Sequence, residues 1–137
     1  YIKYLLSELI YMIMKGYSQK IEDYLFIENY FAYLESYQIQ LFYDYLGVIS
    51  YNNKDYRDEL KFSNEAFSYR GNDYSTAMLY FHRSIPLTTF GKLSDALECA
   101  IQARDIFSKT VNLKRLTSVN FQIAVIYSMK LKIHIII

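Results

Sequence analysis

The sequence predicts an all-α fold, a right-handed αα superhelix of about three and a half stacked helical hairpins. Three observations predict it. Apolar residues recur at spacings of three and four along most of the chain, the period of a helix face. Helix breakers are few, 4 Gly and 1 Pro in 137 residues, which suits helices joined by short turns and fits a turn-rich all-β domain poorly. Apolar and small positions also recur at one fixed offset, from Tyr56 to Leu93, which is 37 residues.

The spacing predicts helices over 2–14, 18–35, 38–51, 55–69, 74–90, 92–109 and 113–132. Lys15-Gly16 ends the first, and the second and third divide near Ser36-Tyr37. Asn52-Asn53-Lys54 separates the third from the fourth, and Gly71-Asn72-Asp73 supplies a break and a cap for a fifth helix from Tyr74. Pro86 inside the fifth predicts a kink or a break, because proline lacks a backbone donor and crowds the preceding turn. Gly91 suits the left-handed residue that ends a helix. The sixth is the clearest: Leu93, Ala96, Leu97, Ala100, Ala103, Arg104 and Phe107 share one face, and its three alanines let a neighbour approach closely. Thr110-Val111-Asn112 ends it, and Asn112 caps the seventh. The tail Ile133-His134-Ile135-Ile136-Ile137 is apolar without a period; covering the last open helix face and pairing with a neighbour are both open to it.

The 37-residue offset also carries Leu60 to Leu97, Phe62 to Cys99, Ala66 to Ala103 and Leu79 to Leu116. Tyr43, Leu46, Gly47, Tyr56 and Ala66 have the spacing of a large residue, Leu-Gly, a turn aromatic and a late Ala, and so resemble the tetratricopeptide consensus, whose period is about 34 residues. Glu59 and Ser84 depart from it, standing where the consensus has a small residue and Gly. One hairpin cannot bury its apolar face alone, whereas stacked hairpins bury it against each other. Residues 1–137 are accordingly read as a single repeat domain, a fragment of something larger, since the sequence begins at Tyr1 and not at Met.

A net charge of +1 is not the footprint of a nucleic-acid-binding domain. The charge is uneven, however. Residues 1–70 hold 7 Lys/Arg and 10 Asp/Glu, residues 71–137 hold 8 and 4, and beyond Ser108 five basic residues meet no acidic one. Cys99 has no partner for an internal disulfide and fits a reducing cytoplasm. No stretch is long and apolar enough to span a bilayer, since Ser7, Glu8 and Lys15 interrupt the first candidate, and no membrane partner is expected.

Nothing in the pattern points to catalysis, a cofactor or a metal. His82, His134 and Cys99 are far apart in sequence, the glycines at 16, 47, 71 and 91 form no phosphate loop, and no nucleophile motif is present. Cys99 reads as a small core residue, and the pairs Glu22-Asp23 and Asp58-Glu59 as exposed faces or first turns of helices. With 16 tyrosines the chain is rich in a side chain that joins apolar area to a hydrogen-bonding tip. Most of these pack between helices, and some suit a groove.

Placing Gly47 as the eighth residue of its unit puts Leu41, Asp44, Tyr45, Val48, Tyr51 and Asn52 on the concave side. The next unit would add Met78, Phe81, His82, Ile85 and Thr88, and the last Arg115, Ser118, Val119, Gln122 and Val125. Asp44, Tyr45, Tyr51, Asn52, Phe81, His82, Arg115, Ser118 and Gln122 are the candidate ligand-binding residues. Amides such as Asn52 and Gln122 would hold a peptide backbone, with Tyr51 and Phe81 forming pockets.

Thr76 through His82, Phe90-Gly91-Lys92, Asp95 through Ala100 and Arg115 through Tyr127 carry a further likeness. The segment from Tyr74 to Lys132 resembles the repeat region of Gram-positive cytoplasmic regulators that bind short peptide pheromones. Members of that family join an N-terminal helix-turn-helix domain to such an array. The resemblance implies a peptide-sensing effector domain that forms a homodimer and binds a short peptide or protein segment. No helix-turn-helix is evident here, so direct nucleic-acid binding by this segment is not expected. Family grooves often hold the peptide backbone with Asn side chains, but Asn120 falls one position off the groove face.

The expected function is peptide sensing within a bacterial transcriptional regulator, where ligand binding biases helix packing. The alternative is a tetratricopeptide interaction scaffold without a switch. Its carboxylate-clamp form is excluded, because Asp44 and Val48 stand where that clamp needs Lys and Asn. A helical enzyme ranks last.

Overall fold

The computed structural model describes residues 2–16 and 18–136. Among them the chain is all-α, with six α-helices, two 3-10 stretches and no strand. It divides into two compact units, Tyr1–Ser75 and Thr76–Ile137.

In the first unit α1 (Ile2–Met14) buries Leu6, Ile10 and Ile13, four and three residues apart and hence on one face. It packs against α2 (Ser36–Asn52). Lys3 Nζ reaches Glu35 Oε1 at 3.0 Å and Gln38 Nε2 donates to Ser7 Oγ at 2.9 Å, tying α1 to the start of α2. Gly16, at φ +70°, ends α1 as expected.

The helix expected over 18–35 is absent. In its place stand two 3-10 stretches, Ile21–Asp23 and Leu25–Tyr33, the second kinked at Tyr30. Aromatic side chains lose rotamer freedom against the preceding turn of an α-helix, and this segment holds Tyr24, Phe26, Tyr30, Phe31 and Tyr33 with only one alanine. Tyr24 and Ile27, three apart, are its buried anchors, which matches the three-residue turn of a 3-10 helix.

Every residue of α2 from Gln38 to Gly47 is buried, and α1, α3 (Tyr56–Phe67) and the Ile21–Asp23 turn all pack against the helix. A methyl group on Gly47 would lie 3.6 Å from the Glu59 carbonyl, so the bare glycine sits opposite the α3 backbone. The inward face of α3 carries Glu59, Phe62, Ser63 and Ala66. Glu59 is therefore buried and not on the exposed face one of the sequence readings gave it, although Asp58 and Glu59 do occupy the first turn. Five rings, of Phe31, Phe42, Tyr43, Phe62 and Tyr69, contact one another with centroids 5.1 to 6.3 Å apart, mostly edge to face around Phe31 and Phe42.

α4 (Asp73–Thr89) runs on through Pro86, in its last turn, without a break. In the second unit α5 (Leu93–Lys109) buries Ala96, Ala100 and Ala103 completely and packs along α6 (Leu113–Ile136). Leu87, Leu93, Ala96, Ala100 and Ile126 form the core here, with Cys99 half-buried beside them. The last helix runs beyond its expected end at Lys132. No breaker follows Lys132, and α6 continues to Ile136 with Ile133, His134 and Ile135 exposed; Ile137 lies outside the described residues.

The 37-residue offset is present in the backbone from α2 to α4 and from α3 to α5, but not from α4 to α6, which begins at 113, 40 residues after the start of α4 at 73. α2 and α4 are each 17 residues long and begin at 36 and 73, and α3 and α5 begin at 56 and 93. α2 and α4 each open on a side chain three residues in that accepts from the N-cap N–H: Gln38 Oε1 from Glu35 at 2.9 Å, Ser75 Oγ from Asn72 at 2.9 Å. Each closes on the same pair of hydrogen bonds. Lys54 and Asp55 N–H donate to Tyr51 and Ser50 carbonyls, and Gly91 and Lys92 N–H donate to Thr88 and Leu87. The left-handed residue is Lys54 at φ 62° in one and Gly91 at φ 76° in the other.

Candidate functional site

The residues predicted to line a groove fall in both units. In the first, Asp44 and Tyr45 are buried at 3% and 8% exposure, Tyr51 is half-buried with its ring 5.8 Å from that of Tyr56, and Asn52 is exposed. The end of α1 stands beside this face: Ile13, Met14 and Gly16 share a small cavity of about 190 Å³ with Tyr45, Val48 and Asn52. In the second unit Phe81 and His82 are half-buried with ring centroids 5.7 Å apart. Arg115, Ser118 and Gln122 are half-buried on α6. Gln122 Nε2 donates to Thr88 Oγ1 at 3.1 Å, so two positions that the sequence assigned to one surface, 34 residues apart, are brought together. Val119, on the same predicted surface, is fully buried.

The first unit also contains a cleft of about 600 Å³, within the size range of ligand sites. One wall is the segment from Gln19 to Glu28, which is 3-10 and not α-helical; the other is the outer face of α3, with Tyr43, Phe62 and Ser50 between them. Asn53 Nδ2 donates to the Gln19 carbonyl at 2.7 Å and so ties the two walls at one end. Five carboxylates line the cleft, Glu22 and Glu28 on one side and Asp55, Asp58 and Glu65 on the other, against the ammonium groups of Lys20 and Lys61.

Tyr43 marks the apolar floor. Its hydroxyl donates to Glu28 Oε2 at 2.7 Å, and its ring stacks on Phe62 with centroids 6.2 Å apart and planes 21° from parallel. Burial, with the Glu28 carboxylate accepting the phenolic proton, pushes the Tyr43 hydroxyl well above the usual tyrosine range. The tyrosine stays neutral and acts as a donor that orients Glu28. In the second unit the Cys99 thiol is also pushed up, by burial first and then by Glu98 and Asp95, with Arg83 opposing.

Sequence reasoning missed this cleft. Its carboxylates come from two stretches far apart in sequence, and the signals were the acidic excess of residues 1–70 and the pairs Glu22-Asp23 and Asp58-Glu59, which read as exposed faces or first turns. Among the described residues no three His, Cys, Asp or Glu side chains gather as a metal site would require, so the cleft acids are spread along its length. No described helix is long and apolar enough to cross a membrane. No protein-family model, curated protein or solved structure matches the chain.

Proposed function

We propose that residues 1–137 form one tetratricopeptide-like helical-hairpin domain that binds a peptide or protein segment, as the ligand-sensing part of a bacterial transcriptional regulator. The 37-residue backbone register carries this reading: two successive helix pairs begin and turn at equivalent positions, and their first helices, α2 and α4, are capped alike. Repetition at that length is the mark of stacked hairpins, whose surfaces hold extended segments. The sensing role rests on the likeness of residues 74–132 to the peptide-pheromone regulators. The cleft adds to it a ligand-sized recess with charged walls and an aromatic floor.

The test is a fluorescence-anisotropy screen of labelled short peptides of mixed sequence against the chain. Saturable 1:1 binding of one class, accompanied by an upward shift in melting temperature, is expected. A panel in which no peptide binds would overturn the proposal.

A further inference from the structure

We infer that the cleft of the first unit takes a peptide segment bearing Lys or Arg side chains; the inference rests on the peptide-binding reading and names the ligand class. The cleft was not among the predicted groove residues, apart from sharing α2. Three observations converge on a cationic peptide.

The first is charge imbalance: five carboxylates line the cleft against the two ammonium groups of Lys20 and Lys61. Among the described residues none of Glu22, Glu28, Asp55, Asp58 and Glu65 is held in an ion pair, although Tyr43 donates to Glu28 and the Asp58 N–H donates to Asp55. Four of the five acids are exposed and all are spread along the two walls, so a guanidinium or ammonium guest lying in the cleft reaches them and forms charge-assisted hydrogen bonds.

The second is the floor. Aromatic faces attract cations, and the chain's own Lys61 ammonium already stands 5.9 Å from the Phe62 ring centroid. The third is the spread of the acids over two walls of a space of about 600 Å³. A single metal ion needs its ligands gathered around one point, whereas a peptide presents several cations in a row along an extended backbone.

The experiment uses fluorescein-labelled hexa-arginine, a hexa-glutamate control and the whole chain, read by anisotropy at low and moderate salt. Hexa-arginine is expected to bind and hexa-glutamate not, with affinity falling as salt rises. Glu22→Gln/Glu65→Gln, which removes one charge from each wall, is expected to weaken hexa-arginine at least ~tenfold. Glu98→Gln, an exposed residue of the second unit, is expected to leave it unchanged. Circular dichroism melts confirm that the variants fold. Equal binding by the parent and Glu22→Gln/Glu65→Gln overturns the inference, as does spermidine binding as tightly as the peptide, which would make this a polyamine site. If hexa-arginine fails while peptides from the mixed panel bind, the ligand class is wrong and the peptide-binding reading stands. If nothing binds, both fall.

Discussion

Replacing Gly71 by alanine tests whether Gln40 is the clamp on the end of α3. A methyl group at position 71 would overlap the Gln40 side-chain amide and crowd the Ser75 hydroxyl. Gln40 is 4% exposed, and its Nε2 donates to the Tyr69 carbonyl at 2.9 Å and the Ala66 carbonyl at 3.3 Å. The Ala66 carbonyl keeps the Tyr69 N–H as a second partner, so the principal loss on displacing Gln40 is at Tyr69. The bond to Tyr69 is part-buried, and an acceptor left without its donor costs about 1–3 kcal/mol, more the less water reaches it. Disturbing Ser75, which shares a reciprocal pair of hydrogen bonds with Asn72, adds about 1 kcal/mol, the usual worth of a helix cap. Gly71→Ala should therefore destabilise the chain by about 2–4 kcal/mol. In a Gln40→Ala background the amide is already gone and only the Ser75 share remains, so the same substitution should cost about 1 kcal/mol. Urea unfolding followed by circular dichroism at the helix band gives all four corners of the cycle. Additivity to within ~0.5 kcal/mol would refute the clamp, because uncoupled sites behave that way.

Two further outcomes follow from the backbone and from Tyr43. Val111, a β-branched residue 71% exposed at φ 56°, holds a left-handed position that costs an L-residue about 1–2 kcal/mol, so Val111→Gly should stabilise by about 1 kcal/mol after the entropy of the freed unfolded chain is subtracted; Gly91→Ala, at φ 76°, should lower the melting temperature instead. The raised folded-state pKa of Tyr43 means that its contribution is complete below about pH 10, the unfolded value, and is lost as pH rises from there through the folded value. Stability measured from pH 9 upward should fall, less steeply in Tyr43→Phe, and parallel curves for the two proteins would remove Tyr43 from the account.

Turn chemistry was legible in the sequence and side-chain cover was not. Gly16, Gly91, Asn72 and Asn112 announced their helix ends, because left-handed glycines and side-chain caps act within a few residues. The alanine face of α5 was legible because a one-sided helix shows a clear stripe. The 18–35 segment misled because its apolar spacing of three and four matches an α-helix, while its aromatic content and few buried anchors leave it 3-10. Helical periodicity identifies faces but does not say what covers them. In α2 the covering is on all sides, and Asp44, a charged residue at 3% exposure, carries no local sign of it. The cleft needed three stretches of chain to be placed together, which no window along the sequence contains.

Three helices, α2, α4 and α5, close on the same pair of backbone hydrogen bonds with three different left-handed residues, Lys54, Gly91 and Val111. Local preference accounts for only one of them. At Lys54 and Val111 the backbone is held in a conformation its own residue disfavours, so the constraint must come from the packed helices on either side, as it does where α2 and α3 or α5 and α6 lie against each other. Register in this chain is thus maintained by packing and hydrogen bonding more than by residue identity at the turns. That frees the turn residues to vary, and the turn after α2 uses the freedom: where glycine would serve the backbone best, it carries Asn53-Lys54-Asp55, whose Asn53 ties down the cleft wall and whose Asp55 lines it. The left-handed strain and the acidic recess then share a location. Stabilising that turn with Lys54→Gly would act on the scaffold alone and leave every cleft carboxylate in place.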